Sequence, residues 1–309
     1  MRKYPIKKEF FPFNSFTPPL SIPMIKSSQR FLRPPAKLFR DSLLTVTTES
    51  IPSFDRNMIE LLIMSPVKAK EPSACLVYFH GGGFVFEASP AHYELCREYT
   101  LSLGIKTVFV RYRLAPDYPF PYPQEDCFSA YEWVCTNADK LGVNPGRTAV
   151  GGDSAGGALA VTTCLLSKER KLPQMPLFML LIYPWLDARN ESGSAMKFSD
   201  TPMWNSTLSK KVTPLTDPHP ESIPLMLRSP IEAESFSGMP PAYIEIAEYD
   251  CLRDDGKEMH RILQSEGIDS VLVESEGTMH GFDNKTKAPT TRKMMQSRIA
   301  YMKERFEKK

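Results

Sequence analysis

With 309 residues, 42% of them hydrophobic, the chain can bury a large core within one α/β domain that carries insertions. Lys+Arg 38 against Asp+Glu 36 leaves a net charge of +2, which excludes the broad positive field that nucleic-acid binding needs, and nothing in the composition calls for a membrane span. The 6 cysteines, Cys75, Cys96, Cys127, Cys135, Cys164 and Cys251, show neither metal-type pairing nor histidines at ligand distance, so they are expected to be reduced and buried, with no metal bound.

The first forty-odd residues stand apart from the rest. Pro5, Pro12, Pro18, Pro19, Pro23, Pro34 and Pro35 predict no long regular element there, while Phe10, Phe11, Phe13 and Phe16 supply apolar anchors that a disordered tail rarely carries. Arg2, Lys3, Lys7 and Lys8 read as a solvated basic tail. The N-terminus shows no sustained apolar run or small-residue cleavage site, so cytoplasm is the expected compartment. Strand patterns follow at 44–47, 58–63, 74–79 and 107–110. Helical patterns alternate with them at 93–103 and 124–138, the latter with Phe128, Tyr131 and Cys135 at helical spacing.

The apolar run Cys75-Leu76-Val77-Tyr78-Phe79 ends in His80-Gly81-Gly82-Gly83-Phe84, a strand running into a triple-glycine loop. Such a loop can turn its N–H groups toward an anion. It lacks the Gly-Lys-Ser/Thr ending of a P-loop and the spacing of a dinucleotide fingerprint, so an oxyanion hole fits it better than a phosphate cradle. Gly152-Asp153-Ser154-Ala155-Gly156 supplies the nucleophile such a hole would serve. It follows the strand-like 147–150 and precedes the helix-like 158–166, the context of a nucleophile elbow. Glycines two residues either side of Ser154 spare a tight turn from side chains, and the helix behind aims free N–H groups at the same place. His80 reads as an anchor of the loop, and Asp153 as an orienter of the elbow.

After an apolar strand at 178–182, the stretch 188–230 loses periodicity and fills with Ser, Pro, Lys and Met. Strand, helix and strand resume through Tyr243, Met259 and Val271, so this stretch is an insertion within the α/β succession. A serine nucleophile needs a general base, and that base needs a carboxylate. Asp250 stands where the strand-like 242–247 runs out, and His280 follows the strand-like 270–274 by a short loop, both at carboxyl ends of strands. Asp254 and Asp255 compete for the carboxylate role but fall in the first turn of a helix over 254–265, where capping and the dipole explain them. His260, on that helix beside the apolar stripe of Met259, Ile262 and Leu263, is expected to face outward. His92 and His219 read as ordinary, and Asp187 as either a contact to the insertion or a solvated loop residue.

Taken together, His80-Gly81-Gly82-Gly83-Phe84, Tyr112-Arg113-Leu114-Ala115-Pro116-Asp117, Gly152-Asp153-Ser154-Ala155-Gly156-Gly157, Asp250-Cys251-Leu252-Arg253-Asp254 and His280-Gly281-Phe282 resemble the hormone-sensitive-lipase-like esterases, from about Leu43 to the C-terminus. Two positions depart from that pattern, Asp117 where the family commonly has Glu and Cys251 where it commonly has Pro. The resemblance implies an α/β-hydrolase fold, with a mostly parallel central sheet flanked by helices. It also implies a cap built from residues 1–45 and from 188–230, over a core that spans 46–309. On that reading Ser154, Asp250 and His280 are the catalytic triad, and the backbone N–H groups of Gly82, Gly83 and Ala155 form the oxyanion hole. The expected activity is a serine carboxylesterase acting through an acyl-enzyme on short- to medium-chain esters, with no metal and no cofactor. Its partner is a small-molecule ester substrate, without nucleic acid or stable membrane association, and a homodimeric state stays open. The alternatives are an amidase or arylacetamide deacetylase using the same residues, and a non-catalytic small-molecule receptor, which the presence of His280 disfavours.

Overall fold

The structure is a computed structural model that describes residues 3–308. Its first helix, α1 (Ile22–Phe31), lies in the proline-rich segment where no long element was expected. Pro23 falls in the first turn, where its missing N–H costs nothing, and Ser21 caps the helix by accepting from the Met24 N–H. A hairpin of β1 (Leu44–Pro52) and β2 (Met58–Pro66) follows. The chain then alternates through β3 (Ser73–Phe79), α2 (Pro90–Leu103), β4 (Lys106–Arg111), α3 (Tyr122–Thr136), α4 (Ala138–Leu141), β5 (Val143–Asp153) and α5 (Ala155–Glu169). After β6 (Met179–Ile182) come three short helices, α6 (Gly193–Lys197), α7 (Ser206–Thr216) and α8 (Leu225–Arg228). The succession closes with β7 (Ala242–Tyr249), α9 (Arg253–Ser265), β8 (Ser270–Met279) and α10 (Pro289–Glu307).

The strands form one eight-stranded sheet in the order β1-β2-β4-β3-β5-β6-β7-β8. Strand β2 runs antiparallel to both its neighbours, and from β4 to β8 every pair is parallel. Parallel strands need helical crossovers, and those helices cover both faces. Every residue of β3 is accordingly buried. Alternate residues serve opposite cores: Cys75, Val77 and Phe79 pack with α3 and α5, whereas Leu76 and Tyr78 pack with α2 and α10. The carboxyl ends of β3, β5, β7 and β8 thereby come to one edge of the sheet, each carrying a segment singled out in the sequence.

The insertion is more regular than its composition suggests. Ser192 and Asn205 cap α6 and α7 by accepting N–H groups from Ala195 and Leu208, so local capping compensates for the weak apolar periodicity. The N-terminal segment and the insertion meet: the Tyr4 and Phe198 rings are 5.8 Å apart and the Met203 N–H donates to the Phe16 carbonyl at 2.7 Å. Asp117 is exposed and pairs with Lys26 of α1, tying its loop to the same N-terminal segment.

Candidate active site

Ser154 joins β5 to α5 with φ +56°, a left-handed conformation that a non-glycine residue holds only when its surroundings fix it. Its N–H donates to the Ile182 carbonyl at 2.8 Å, and its own carbonyl accepts from Trp185, so the turn is pinned to the end of β6. A Cβ on Gly152 or on Gly156 would collide with the Phe79 carbonyl oxygen, so the end of β3 approaches this turn too closely for any side chain. The glycine spacing around Ser154 therefore serves packing against the neighbouring strand as well as the turn itself.

His280 brings its Nε2 to 2.9 Å from Ser154 Oγ, and its Nδ1 lies 2.7 Å from Asp250 Oδ2. Asp250 is fully buried and also accepts the Leu252 N–H at 2.9 Å, which fixes the carboxylate plane. Ser154 and His280 are 4% and 6% exposed, so the three groups form a chain closed to bulk water. Cys251 is buried beside Asp250, and its carbonyl accepts from Ser194 of α6, so the residue at the family's usual proline keeps the turn intact. The sequence order of three distant residues is thus converted into one hydrogen-bonded line.

The N–H groups of Gly82, Gly83 and Ala155 make no hydrogen bond among the described residues. Ala155 is the first residue of α5, where N–H groups have no intrahelical partner. Gly82 and Gly83 hold φ +114° and +61°, and the Gly82 carbonyl accepts from Val85 and Phe86 to close the loop. The result is a set of three free donors with which a developing oxyanion can be held.

Behind the loop lies an arrangement that sequence reasoning missed. Asp153 does more than orient its own turn: Oδ1 accepts from the Gly81 N–H at 3.0 Å and from the Tyr78 hydroxyl at 2.8 Å, while Oδ2 lies 3.1 Å from His92 Nε2. His92, read as ordinary, is the third residue of α2, and its Nδ1 accepts the Ser89 N–H at 2.9 Å. Burial opposes a charge on His92, but the Asp153 carboxylate outweighs it and raises its pKa. Burial would likewise raise Asp153, yet His92, Tyr78 and His80 together bring it down to about 2. No local pattern marks this pair, since the two residues are sixty-one positions apart. His80 is the expected anchor: its ring stacks on Tyr112 at 4.4 Å and its Nδ1 donates to the Gly81 carbonyl at 2.6 Å. Complete burial pushes its pKa down to about 4 and keeps the ring neutral.

Asp254 and Asp255 lie in the first turn of α9, as expected. Neither caps its own helix. Asp254 accepts the Ser194 N–H at 2.7 Å, and Asp255 accepts the N–H groups of Leu186 and Asp187 at 3.0 Å, so both hold the start of the insertion to the core. Asp187 is buried and pairs with Arg189, which sets aside the solvated reading. His260 is half-buried and hydrogen-bonds Ser270 of β8 at 2.8 Å, so it does not face outward freely. His219 is exposed, and five of the six cysteines are buried, with Cys135 half-buried.

Two aromatic rings flank His280, Tyr183 at 4.7 Å and Trp204 at 6.3 Å between centroids. The Tyr183 hydroxyl donates to Asp283, whose other oxygen accepts from the buried Arg298 at 3.0 Å. Arg298 also forms a two-pronged pair with Glu245, so the C-terminal helix supports the ring that packs on His280.

Residues 76–284 match the model of the alpha/beta hydrolase fold family. The chain belongs to that family. Within it the chain falls in the hormone-sensitive-lipase-like group. It is 31% identical over 276 residues to carboxylesterase NlhH of Mycobacterium tuberculosis, covering 87% of this chain and 85% of that one. It is 32% identical over 218 residues to an ethyl acetate hydrolase of Pseudomonas putida, covering 68% of this chain and 66% of that one. A hyperthermophilic esterase from the archaeon Pyrobaculum calidifontis superposes with a TM-score of 0.81 at 32% identity, over 91% of both chains. Among the described residues, no helix is long and apolar enough to cross a membrane.

Proposed function

We propose that this member of the α/β-hydrolase family is a serine carboxylesterase that works through Ser154, His280 and Asp250. The hydrogen-bonded line from Ser154 Oγ through His280 to Asp250 carries the reading. The naming of the relatives as ester hydrolases supplies the reaction class. His280 Nε2 takes the Ser154 proton as Oγ attacks the ester carbonyl, and Asp250 holds Nδ1–H toward itself and stabilises the imidazolium. The carbonyl oxygen becomes an oxyanion on the N–H groups of Gly82, Gly83 and Ala155. His280 then gives its proton to the departing alcohol, leaving an acyl group on Ser154, and afterwards takes a proton from the water that releases the acid. Asp153 and His92 act at one remove, by holding the Gly81 end of the glycine loop.

Residues 1–45 and 188–230 act as a cap that selects the substrate. Their mutual contacts, and Trp204 of the insertion beside His280, support this assignment. Substrates are short- to medium-chain acyl esters.

The test is hydrolysis of 4-nitrophenyl esters by folded variants. Ser154→Ala and His280→Ala lower kcat/KM by on the order of 10⁴-fold or more, and Asp250→Asn by somewhat less. Near-normal rates in either of the first two would overturn the assignment.

A further inference from the structure

Catalysis at Ser154 requires the base and the oxyanion donors to keep one geometry, because both serve the same attack on one carbonyl. They are carried by different loops. The glycine loop follows β3 and His280 follows β8, with β5, β6 and β7 lying between those two strands in the sheet. Among the described residues, no backbone ladder therefore joins the two loops.

A line of side chains joins them instead, across the start of α2. Asn284 closes the turn behind His280, since its backbone N–H and its Nδ2 both donate to the Gly281 carbonyl at 3.1 Å. Its Oδ1 accepts from the Ser89 hydroxyl at 3.0 Å. Ser89 stands immediately before α2, and its N–H donates to His92 Nδ1 at 2.9 Å. The Nε2 of His92 in turn faces Asp153 Oδ2 at 3.1 Å. The other Asp153 oxygen accepts the Gly81 N–H at 3.0 Å, and the line has reached the glycine loop. Each link pairs a donor with an acceptor, from the carbonyl beside His280 to the N–H beside Gly82.

The adjacent residue, Asp283, holds the same turn by a separate route, through Tyr183 and the buried Arg298. Breaking the bond between Ser89 and Asn284 therefore leaves the turn folded and the Tyr183 ring packed on His280. What it removes is the tie to the glycine loop.

We propose that Ser89 and Asn284 are positioning residues, which lock the His280 turn to the glycine loop so that proton transfer and oxyanion binding share one geometry. This role rests on the carboxylesterase reading of Ser154, His280 and the glycine loop. Both residues act through their neighbours.

The experiment measures kcat and KM on 4-nitrophenyl butyrate, per site counted by fluorophosphonate labelling of Ser154 carried to completion. Ser89→Ala and Asn284→Ala each lower kcat by about tenfold with KM within about twofold, since acylation and deacylation use the same base and donors. Ser89→Thr, which keeps the hydroxyl, restores kcat. The double variant of Ser89→Ala with Asn284→Ala falls no further than Asn284→Ala alone, because both remove the same bond. Ser89→Ala added to Asp153→Ala likewise costs nothing more, because the line is already broken. Thermal unfolding separates the alternative: a merely structural role lowers Tm and leaves kcat per labelled site at the wild-type value, which overturns the proposal. Multiplicative losses in the double variants overturn it too, since they would make the two ends independent. So does a Ser89→Thr variant as slow as Ser89→Ala. Absence of ester hydrolysis by the wild-type protein would count against the carboxylesterase reading instead.

Discussion

The indole of Trp204, carried by the insertion, stands 2.5 Å from where a Cβ on Gly83 would lie. Gly83 also holds φ +61°, so the position excludes a side chain twice over, by strain and by contact. The insertion and the glycine loop are thus fitted to each other at an N–H assigned to the oxyanion. Gly83→Ala should push the loop or the indole aside and lower kcat by on the order of 10²-fold or more, the scale of losing one oxyanion donor. Circular dichroism should show a folded protein. A kcat within a factor of about two of wild type would remove Gly83 N–H from the oxyanion hole.

Asp153 joins the nucleophile turn to the glycine loop through the Gly81 N–H, and to α2 through His92. Asp153→Asn keeps an acceptor for Gly81 and Tyr78 but gives up the charge that faces His92. Asp153→Ala gives up all three. The expected order of kcat is wild type, then Asn, then Ala, with the alanine variant down by about 10²-fold because the donors are misplaced while the triad line remains. Equal activity in all three proteins would show that the loop holds its shape without this carboxylate.

The two buried histidines give opposite dependences of stability on pH. His80 has a folded pKa of about 4, below its unfolded value, so the stability its neutral ring contributes is complete above about 6.5 and is lost as pH falls toward 4. That loss is on the order of 3 kcal/mol. His92 has its folded pKa raised, so its contribution is complete below the unfolded value and is lost as pH rises through the folded one. Urea unfolding between pH 4 and pH 9 should show both limbs. His80→Gln should flatten the acid limb, and His92→Gln the alkaline one. An acid limb unchanged in His80→Gln would assign it to other groups.

The cap reading predicts how acyl length is tolerated. With a short acyl pocket under the cap, kcat/KM should peak on acyl chains of about two to eight carbons, since each CH₂ adds roughly 0.8 kcal/mol only while there is room. Removal of residues 1–40 strips Phe10 and Ile25 from the two cores and opens the insertion's contacts with the N-terminal segment. It should lower both stability and kcat/KM for the longer of these esters. A jump in rate on emulsified long-chain triglycerides at the oil–water interface would instead mark a lipase and a misread cap.

The chain's own pattern determined the frame. Gly152-Asp153-Ser154-Ala155-Gly156, the triple-glycine loop, and Asp250 and His280 at strand ends are local signatures, each tied to a strand or turn whose geometry depends on neighbours in sequence. Helices α1, α6 and α7 were hidden because each starts at a capping side chain and few of their buried positions are apolar. Only the folded chain decided that Asp153 pairs with His92 and that Asp254 and Asp255 hold the insertion. Those contacts join elements brought together by sheet order and crossover packing. A hydrogen-bond partner distant in sequence leaves no periodicity to read, because the force that selects it, the cost of a buried polar group left unpaired, acts only once the chain has folded around it.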